Sequence, residues 1–217
     1  MCENLVGAWT LSGVNSSVAL EIRDGELRQD RAAWFPTQRG WVAVVADGAG
    51  GTGEGGRCAD LVVSAARDLA DGKYTSVLEA FSAMEDAAFQ MGSLTTAIIV
   101  KLEGRSISGA SVGDSVAWVI RGDLVDDLTQ NQKRKPLVGD GSRPVEFHRS
   151  HLNGRLMLAT DGLVNYSASK EIAAACWVGD VSEAASTVVE LPRLPSDTFP
   201  DDVAVIVVDQ IDRNSGD

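Results

Sequence analysis

Cysteine and histidine are scarce in this chain of 217 residues: Cys2, Cys58 and Cys176 are scattered, and His148 and His151 are its two histidines. An odd, dispersed set of cysteines excludes a disulfide framework and a zinc ribbon. The histidines stand three apart with no cysteine nearby, not at the helical spacing of a zinc-binding His-Glu-x-x-His. Positive charge is also short. Lys and Arg number 19 against 31 Asp and Glu, and the net charge of −12 argues against nucleic acid or an anionic membrane as the main partner. No apolar run approaches about 18 residues, and the first residues lack the pattern of a secretory leader, so a cytoplasmic protein is expected. With 6 prolines and no Pro- or Ser-rich linker, the chain reads as a single domain over 1–217 with a loose tail from about 212. A hydrophobic share of 44% is enough for a sizeable core.

Buried strands are expected at Trp41–Asp47, Thr95–Lys101, Ser106–Val112, Ser115–Arg121, Arg155–Asp161 and Val203–Asp209, runs rich in Val, Ile and Ala. Gly104 and Gly113-Asp114 look like turns, which predicts a three-stranded antiparallel meander over Thr95–Arg121. Helices are expected near 57–70, from a capping box of Ser76 with Glu79 to about 89, over 169–176, and over 181–190 behind Asp180. Strands grouped with strands, and two strand-plus-helix-pair halves, predict an α+β fold. Its form would be two mainly antiparallel sheets packed face to face with helix pairs outside, a four-layer α-β-β-α sandwich.

Three motifs invite a functional reading and fail it. Residues 51–56 match G-x-G-x-x-G, but Asp47 and Glu54 put negative charge where a pyrophosphate would sit, and a second helix stands where a strand is needed. The same stretch fails as a phosphate-binding P-loop because Arg57-Cys58 stands where Lys-Ser/Thr belongs. Gly109-Ala110-Ser111-Val112-Gly113 has the spacing of a nucleophile elbow. Residues 115–120 beyond it read as strand rather than helix, so Ser111 is expected mid-sheet and a serine hydrolase is the weak alternative.

Aspartates at strand ends carry more. Asp47-Gly48 and Asp161-Gly162 close two fully apolar runs, Asp30 precedes an aromatic-rich one, Asp114 sits in a Gly-Asp-Ser turn, and Asp201-Asp202 opens the last strand. A carboxylate at the end of a buried strand is costly to desolvate unless a cation offsets it. Oxygen ligands without Cys or His select hard divalent ions, and glycine after aspartate leaves its carbonyl accessible. Two such ions about 3.5–4 Å apart clamp a phosphoryl group and activate a water. The residues thus point to a dinuclear metal hydrolase of phosphate esters.

In order along the chain, Gln29-Asp30-Arg31, Asp47-Gly48-Ala49-Gly50-Gly51, Ser93-Leu94-Thr95-Thr96-Ala97, Val112-Gly113-Asp114-Ser115, Ala159-Thr160-Asp161-Gly162-Leu163 and Asp201-Asp202-Val203-Ala204 resemble the successive motifs of the metal-dependent protein phosphatases, the type 2C (PPM) family, in its compact bacterial form. The match runs from about residue 28 to 208. The resemblance implies hydrolysis of protein phosphoserine or phosphothreonine by in-line attack of a water activated by two Mn²⁺ or Mg²⁺ ions. By position, Asp47 would bridge both ions and the Gly48 carbonyl would bind one. Asp161 and Asp201 would hold the first ion, Asp30 would position ligand waters, and Asp114 would bind a third, looser ion. Asp47 and Asp161 are the expected catalytic residues. The implied partners are a phosphorylated protein and, behind it, a serine/threonine kinase.

The match has departures. Arg28-Gln29 replaces the usual acid before the first aspartate, and Gly25 stands where the family often places a phosphate-binding arginine, leaving Arg23 and Arg28 as neighbours between which sequence does not choose. Asp202 replaces an asparagine, either assisting the site or facing solvent. The flap region between Asp114 and Asp161 is short, and 131–136 within it is the most basic stretch of an acidic protein, read either as a solvated loop or as a docking segment for acidic phosphoproteins. A regulatory pseudophosphatase is the alternative function. Retention of Asp30, Asp47, Asp161 and Asp201 favours activity over it.

Overall fold

The structure is a computed structural model that describes residues 5–11, 14–49 and 55–212. Most of the glycine-rich segment 51–56 and the tail beyond 212 therefore lie outside the described residues. One six-stranded sheet is ordered β1 (Leu5–Leu11), β2 (Val14–Arg23), β12 (Val203–Asp212), β11 (Arg155–Ala159), β8 (Val116–Arg121), β9 (Leu124–Asp127). The other runs β10 (Val145–Arg149), β7 (Ser106–Val112), β6 (Ala97–Glu103), β4 (Gly40–Ala49), β3 (Asp30–Pro36), with the short β5 (Leu94–Thr95) pairing the far end of β4. Every pairing is antiparallel. The helices are α1 (Gly55–Ala70), α2 (Val77–Met91), α3 (Asp161–Val164), α4 (Ser169–Ala175) and α5 (Val181–Val189). None is long and apolar enough to cross a membrane.

Alternation along the strands separates three apolar layers, as period-2 side chains require. Val18, Leu20, Val45, Ile98, Val100, Val119, Leu158 and Ile206 fill the space between the sheets. The opposite faces of β4, β6 and β7 send Val42, Val44, Ile99, Ala110 and Val112 against Val62, Ala66 and Leu69 of α1 and Phe81 and Met84 of α2. Ile120, Met157, Val205 and Val207 meet Ile172, Val181, Ala185 and Val188 of the helices on the other side. Each fully buried side chain of this size contributes about 1.5–3 kcal/mol. The fold is the expected α+β four-layer sandwich. Two expected caps are present: Ser76 Oγ accepts the Glu79 N–H at 3.1 Å, and Asp180 accepts from Ser182 and Glu183.

The expected meander over Thr95–Arg121 is corrected. β6 and β7 form a hairpin, but β8 leaves it for the other sheet and pairs β11 and β9. Gly113-Asp114-Ser115 is therefore a crossover between sheets rather than a hairpin turn. Gly113 makes it with φ of 99°, and a Cβ there would lie 2.7 Å from Thr96 Cγ2. The strand expected to end at Asp161 ends at Ala159, and Asp161 opens α3.

Candidate metal centre and phosphoryl site

The crossover places Asp114 at the mouth of the gap between the sheets. From one sheet comes Asp47, near the end of β4, facing Asp30 of β3 in register. From the other come Asp161, just past β11, and Asp201, just before the adjacent β12. One stitch aligns these last two strand ends: the Thr160 N–H donates to the Ala204 carbonyl at 3.1 Å, and the Ala204 N–H donates to Thr160 Oγ1 at 2.9 Å. A second stitch ties the sheets at the crossover. Thr96 Oγ1 accepts the Asp47 N–H at 2.9 Å and lies 2.8 Å from Ser115 Oγ, while the Asp47 carbonyl accepts from the Thr96 N–H and the Thr95 hydroxyl.

Both Asp-Gly glycines are required by backbone contact. A Cβ on Gly48 would sit 2.2 Å from the Gly55 carbonyl carbon, where α1 begins against β4, and one on Gly162 would sit 2.0 Å from the Asp202 carbonyl oxygen. Close approach of two backbone segments, visible only in the fold, accounts for glycine at these positions before any role of its carbonyl is considered.

Carboxylate oxygens of Asp47, Asp114 and Asp161 all lie within 4.8 Å of one another. The crowding is electrostatically costly. Burial and the charge of Asp161 push the Asp47 carboxyl up to about 7, and burial with Asp114 and Asp201 beside it raises that of Asp161. Asp201 is raised chiefly by its burial. Asp30, 5% exposed, is pushed well above the carboxylate range by burial and by the Asp47 charge, against a hydrogen bond from Thr160. Its Oδ2 has no hydrogen-bond partner among the described residues. Asp30 and Asp201 flank the triad and lie outside its 4.8 Å circle.

An all-oxygen donor set, mutually repelling and backed by an orphaned carboxylate oxygen, fits a hard divalent cation. Asp47, Asp114 and Asp161 are the residues placed to hold it. The carboxylates line a cleft of about 360 Å³ together with Ala49, Thr96, Arg134, Lys135 and Leu137. Arg134, from the basic stretch, projects into the acids, with Nε 2.5 Å from Asp114 Oδ2 and Nη2 3.8 Å from Asp161 Oδ2.

Sequence reasoning misses that contact, because no motif marks which residue of a basic loop reaches inward. Of the two readings of Asp202, the structure excludes the solvent-facing one. The residue is 4% exposed and accepts the Gly25 N–H at 2.6 Å and the Gln29 N–H at 2.5 Å, pinning the turn before Asp30. Of the two arginines near that turn, Arg23 is held by Glu21 and Glu190, and Arg28 is largely exposed with Asp24 as its ionic neighbour at 3.7 Å. Ser111 is a mid-sheet residue as expected. It pairs Ile98 and Val145, is fully buried, and its hydroxyl has no partner among the described residues, His148 and His151 included, so neither histidine activates it.

A four-layer sandwich with a carboxylate cluster between the ends of its sheets defines the class of metal-dependent phosphatase folds. The protein phosphatase 2C family profile matches residues 19–189, and the chain belongs to that family, an enzyme of the protein phosphatase class. No curated relative matches the chain. Among solved structures, the catalytic domain of the serine/threonine protein phosphatase PstP in complex with 2 manganese ions is similar, with a TM-score of 0.76 and 22% identity over 92% of this chain and 100% of that one. The Mycobacterium tuberculosis phosphatase PstP/Ppp has a TM-score of 0.75 and 22% identity over 89% and 98%. Staphylococcus aureus serine/threonine phosphatase Stp1 has 0.76 and 18% over 96% and 98%. At these identities the likeness concerns the fold.

Proposed function

We propose that the chain is a Mn²⁺- or Mg²⁺-dependent protein serine/threonine phosphatase, a single catalytic domain acting on phosphoserine or phosphothreonine in substrates of a cytoplasmic kinase. The observation that carries the reading is the convergence of Asp47, Asp114 and Asp161 within 4.8 Å in an open cleft. Asp47, Asp161 and Asp201 would hold two divalent ions and Asp114 a looser third, which would supply the Lewis-acid charge that activates a water for in-line attack. Asp47 would bridge the ions, Asp161 and Asp201 would hold the first of them from the other sheet, and Asp30, beside Asp47 in register, would position ligand waters. Gly48, packed against Gly55, is the residue whose carbonyl would bind one of the ions. Arg134, which shares the cleft with Lys135, is the cation paired with the acids there and would receive a phosphoryl oxygen once they are neutralised.

Metal-stripped protein assayed on p-nitrophenyl phosphate and on a phosphothreonine peptide, with Mn²⁺ and Mg²⁺ titrated, tests the reading. Metal-dependent phosphate release, lost in Asp47→Asn and Asp161→Asn, is the expected result. Metal binding without turnover would replace it with a regulatory binding role.

A further inference from the structure

The segment that brings Arg134 to the metal cleft also walls a second cavity, of about 300 Å³, lined by Ser111, Val112, Lys133, Pro136, Gly141 and Arg143. The two cavities share the 133–137 wall, Lys133 and Pro136 on one, Arg134, Lys135 and Leu137 on the other. This wall is anchored. Gln132 Nε2 donates to the Ser115 carbonyl at 2.6 Å, and Val138 pairs Thr95 by two backbone hydrogen bonds. On the far side Glu85 of α2 accepts from the Gly141 N–H at 2.6 Å and the Ser142 hydroxyl at 2.5 Å, fixing the turn that presents Arg143.

Lys133 and Arg143 are exposed at the rim of this cavity and have neither an ion pair nor a hydrogen bond among the described residues. Ser111, which lines the same cavity, is fully buried with a hydroxyl that has no partner among the described residues. Buried hydroxyls nearly always find a partner, and unpaired cations lining the same cavity as one describe the donor set of an oxyanion.

We propose that this cavity is an anion subsite that takes a second acidic group, phosphoryl or carboxylate, of the substrate segment whose phosphoryl group lies in the metal cleft. The proposal rests on the phosphatase reading of that cleft. It makes the preferred substrate a multiply phosphorylated or acid-flanked stretch, with Lys133 and Arg143 as specificity-determining residues and Ser111 as donor at the floor.

Peptides carrying one phosphothreonine test it, with a second group, either phosphoserine, glutamate or a neutral residue, moved through successive flanking positions. Binding is measured beside kcat/KM, and p-nitrophenyl phosphate reads the metal centre alone. At one spacing the second anion raises affinity and kcat/KM about tenfold, the size of one charge-assisted contact, mostly through KM. Phosphoserine exceeding glutamate assigns the subsite to phosphoryl groups, and equality assigns it to any acid. In the Lys133→Ala/Arg143→Ala variant, and separately in Ser111→Ala, the preference disappears while p-nitrophenyl phosphate turnover and Tm hold. A preference absent at every spacing, or surviving in both variants, overturns the subsite. Failure of p-nitrophenyl phosphate turnover would instead overturn the phosphatase reading, and the binding comparison still decides the subsite.

Discussion

Gly25 lies against Asp201 so closely that a Cβ on residue 25 would stand 2.7 Å from the Asp201 carbonyl carbon and 2.9 Å from the Asp202 nitrogen. The turn is held there by Asp202, which accepts the Gly25 N–H. Any side chain at 25 must push the backbone of 201–202 away, and with it the Asp201 carboxylate. Gly25→Ala should therefore cost about 1–3 kcal/mol, lowering Tm by roughly 2–4 °C per kcal/mol for a chain of this size. Gly25→Arg, which restores the residue type the family often carries there, should destabilise further and fail to improve phosphopeptide KM. Thermal melts and steady-state kinetics on the two variants check this, and a gain in affinity in Gly25→Arg would contradict it.

Arg134 reaches the acids from the loop that follows β9. Its guanidinium is 2.5 Å from Asp114 and 3.8 Å from Asp161, so it competes with cations for the same oxygens. Arg134→Ala should tighten Mn²⁺ binding severalfold, as read by calorimetry, while raising phosphopeptide KM severalfold with Tm unchanged. Arg134→Lys should keep the charge and lose the planar fork, giving an intermediate KM. Tighter metal binding with no change in KM would make the residue a counter-ion only.

The acids predict a pH signature. Asp47 titrates at an ordinary 3.8 when exposed and at about 7 in the metal-free fold, driven up by burial and by Asp161. A raised carboxyl pKa contributes stability that is full below about 4 and is lost as pH rises through about 7. Asp47→Asn, which mimics the protonated acid, should match wild type near pH 4 and exceed it at pH 8 by on the order of 2–4 kcal/mol. Each tenfold difference in proton affinity between folded and unfolded chains is worth about 1.36 kcal/mol. Added Mn²⁺ should reverse the order at pH 8, stabilising wild type and not the variant. Its affinity for wild type should fall as pH drops below 7, where protons compete. Melts against pH with EDTA or Mn²⁺ read both effects.

How far the sequence carries the fold depends on burial. β4, β6 and β12 run through the core with near-continuous stretches of Val, Ile and Ala, and their signal is local. β1, β2, β3 and β10 lie at or near sheet edges or mix polar with apolar residues, as in Val-Asn-Ser-Ser-Val-Ala-Leu-Glu-Ile-Arg of β2, and are not separable from loops by pattern. β8 is recognisable as a strand, but its sheet is not, because Gly113-Asp114 has turn chemistry whether the chain reverses or crosses over. At the site, motif order locates Asp47, Asp114 and Asp161, which the fold brings together. Asp202 is open to misreading because its partners are backbone N–H groups 177 and 173 residues away, a relationship with no sequence signature. The reach of Arg134 into the acids is set by anchors at Gln132 and Val138, equally invisible in one dimension.

The Thr96–Ser115 contact joins two of these points. Thr96 Oγ1 receives the Asp47 N–H, so its own proton is free for Ser115 Oγ at 2.8 Å, and both hydroxyls are buried. One side chain thus fixes Asp47 on one sheet and the crossover that carries Asp114 to the other. Thr96→Val keeps the shape and leaves the Asp47 N–H and the Ser115 hydroxyl without their partner, a loss of about 1–3 kcal/mol. Ser115→Ala removes one hydrogen bond and should cost about 1 kcal/mol. Since the two residues share a bond, the double variant should lose less than the sum of the single losses, which denaturant melts of all four proteins measure as a coupling energy. Mn²⁺ affinity should fall in Thr96→Val because the spacing of Asp47 and Asp114 is no longer pinned, and it should fall less in Ser115→Ala. Additive stabilities with unchanged metal affinity would mean that the carboxylates are positioned by the strands alone.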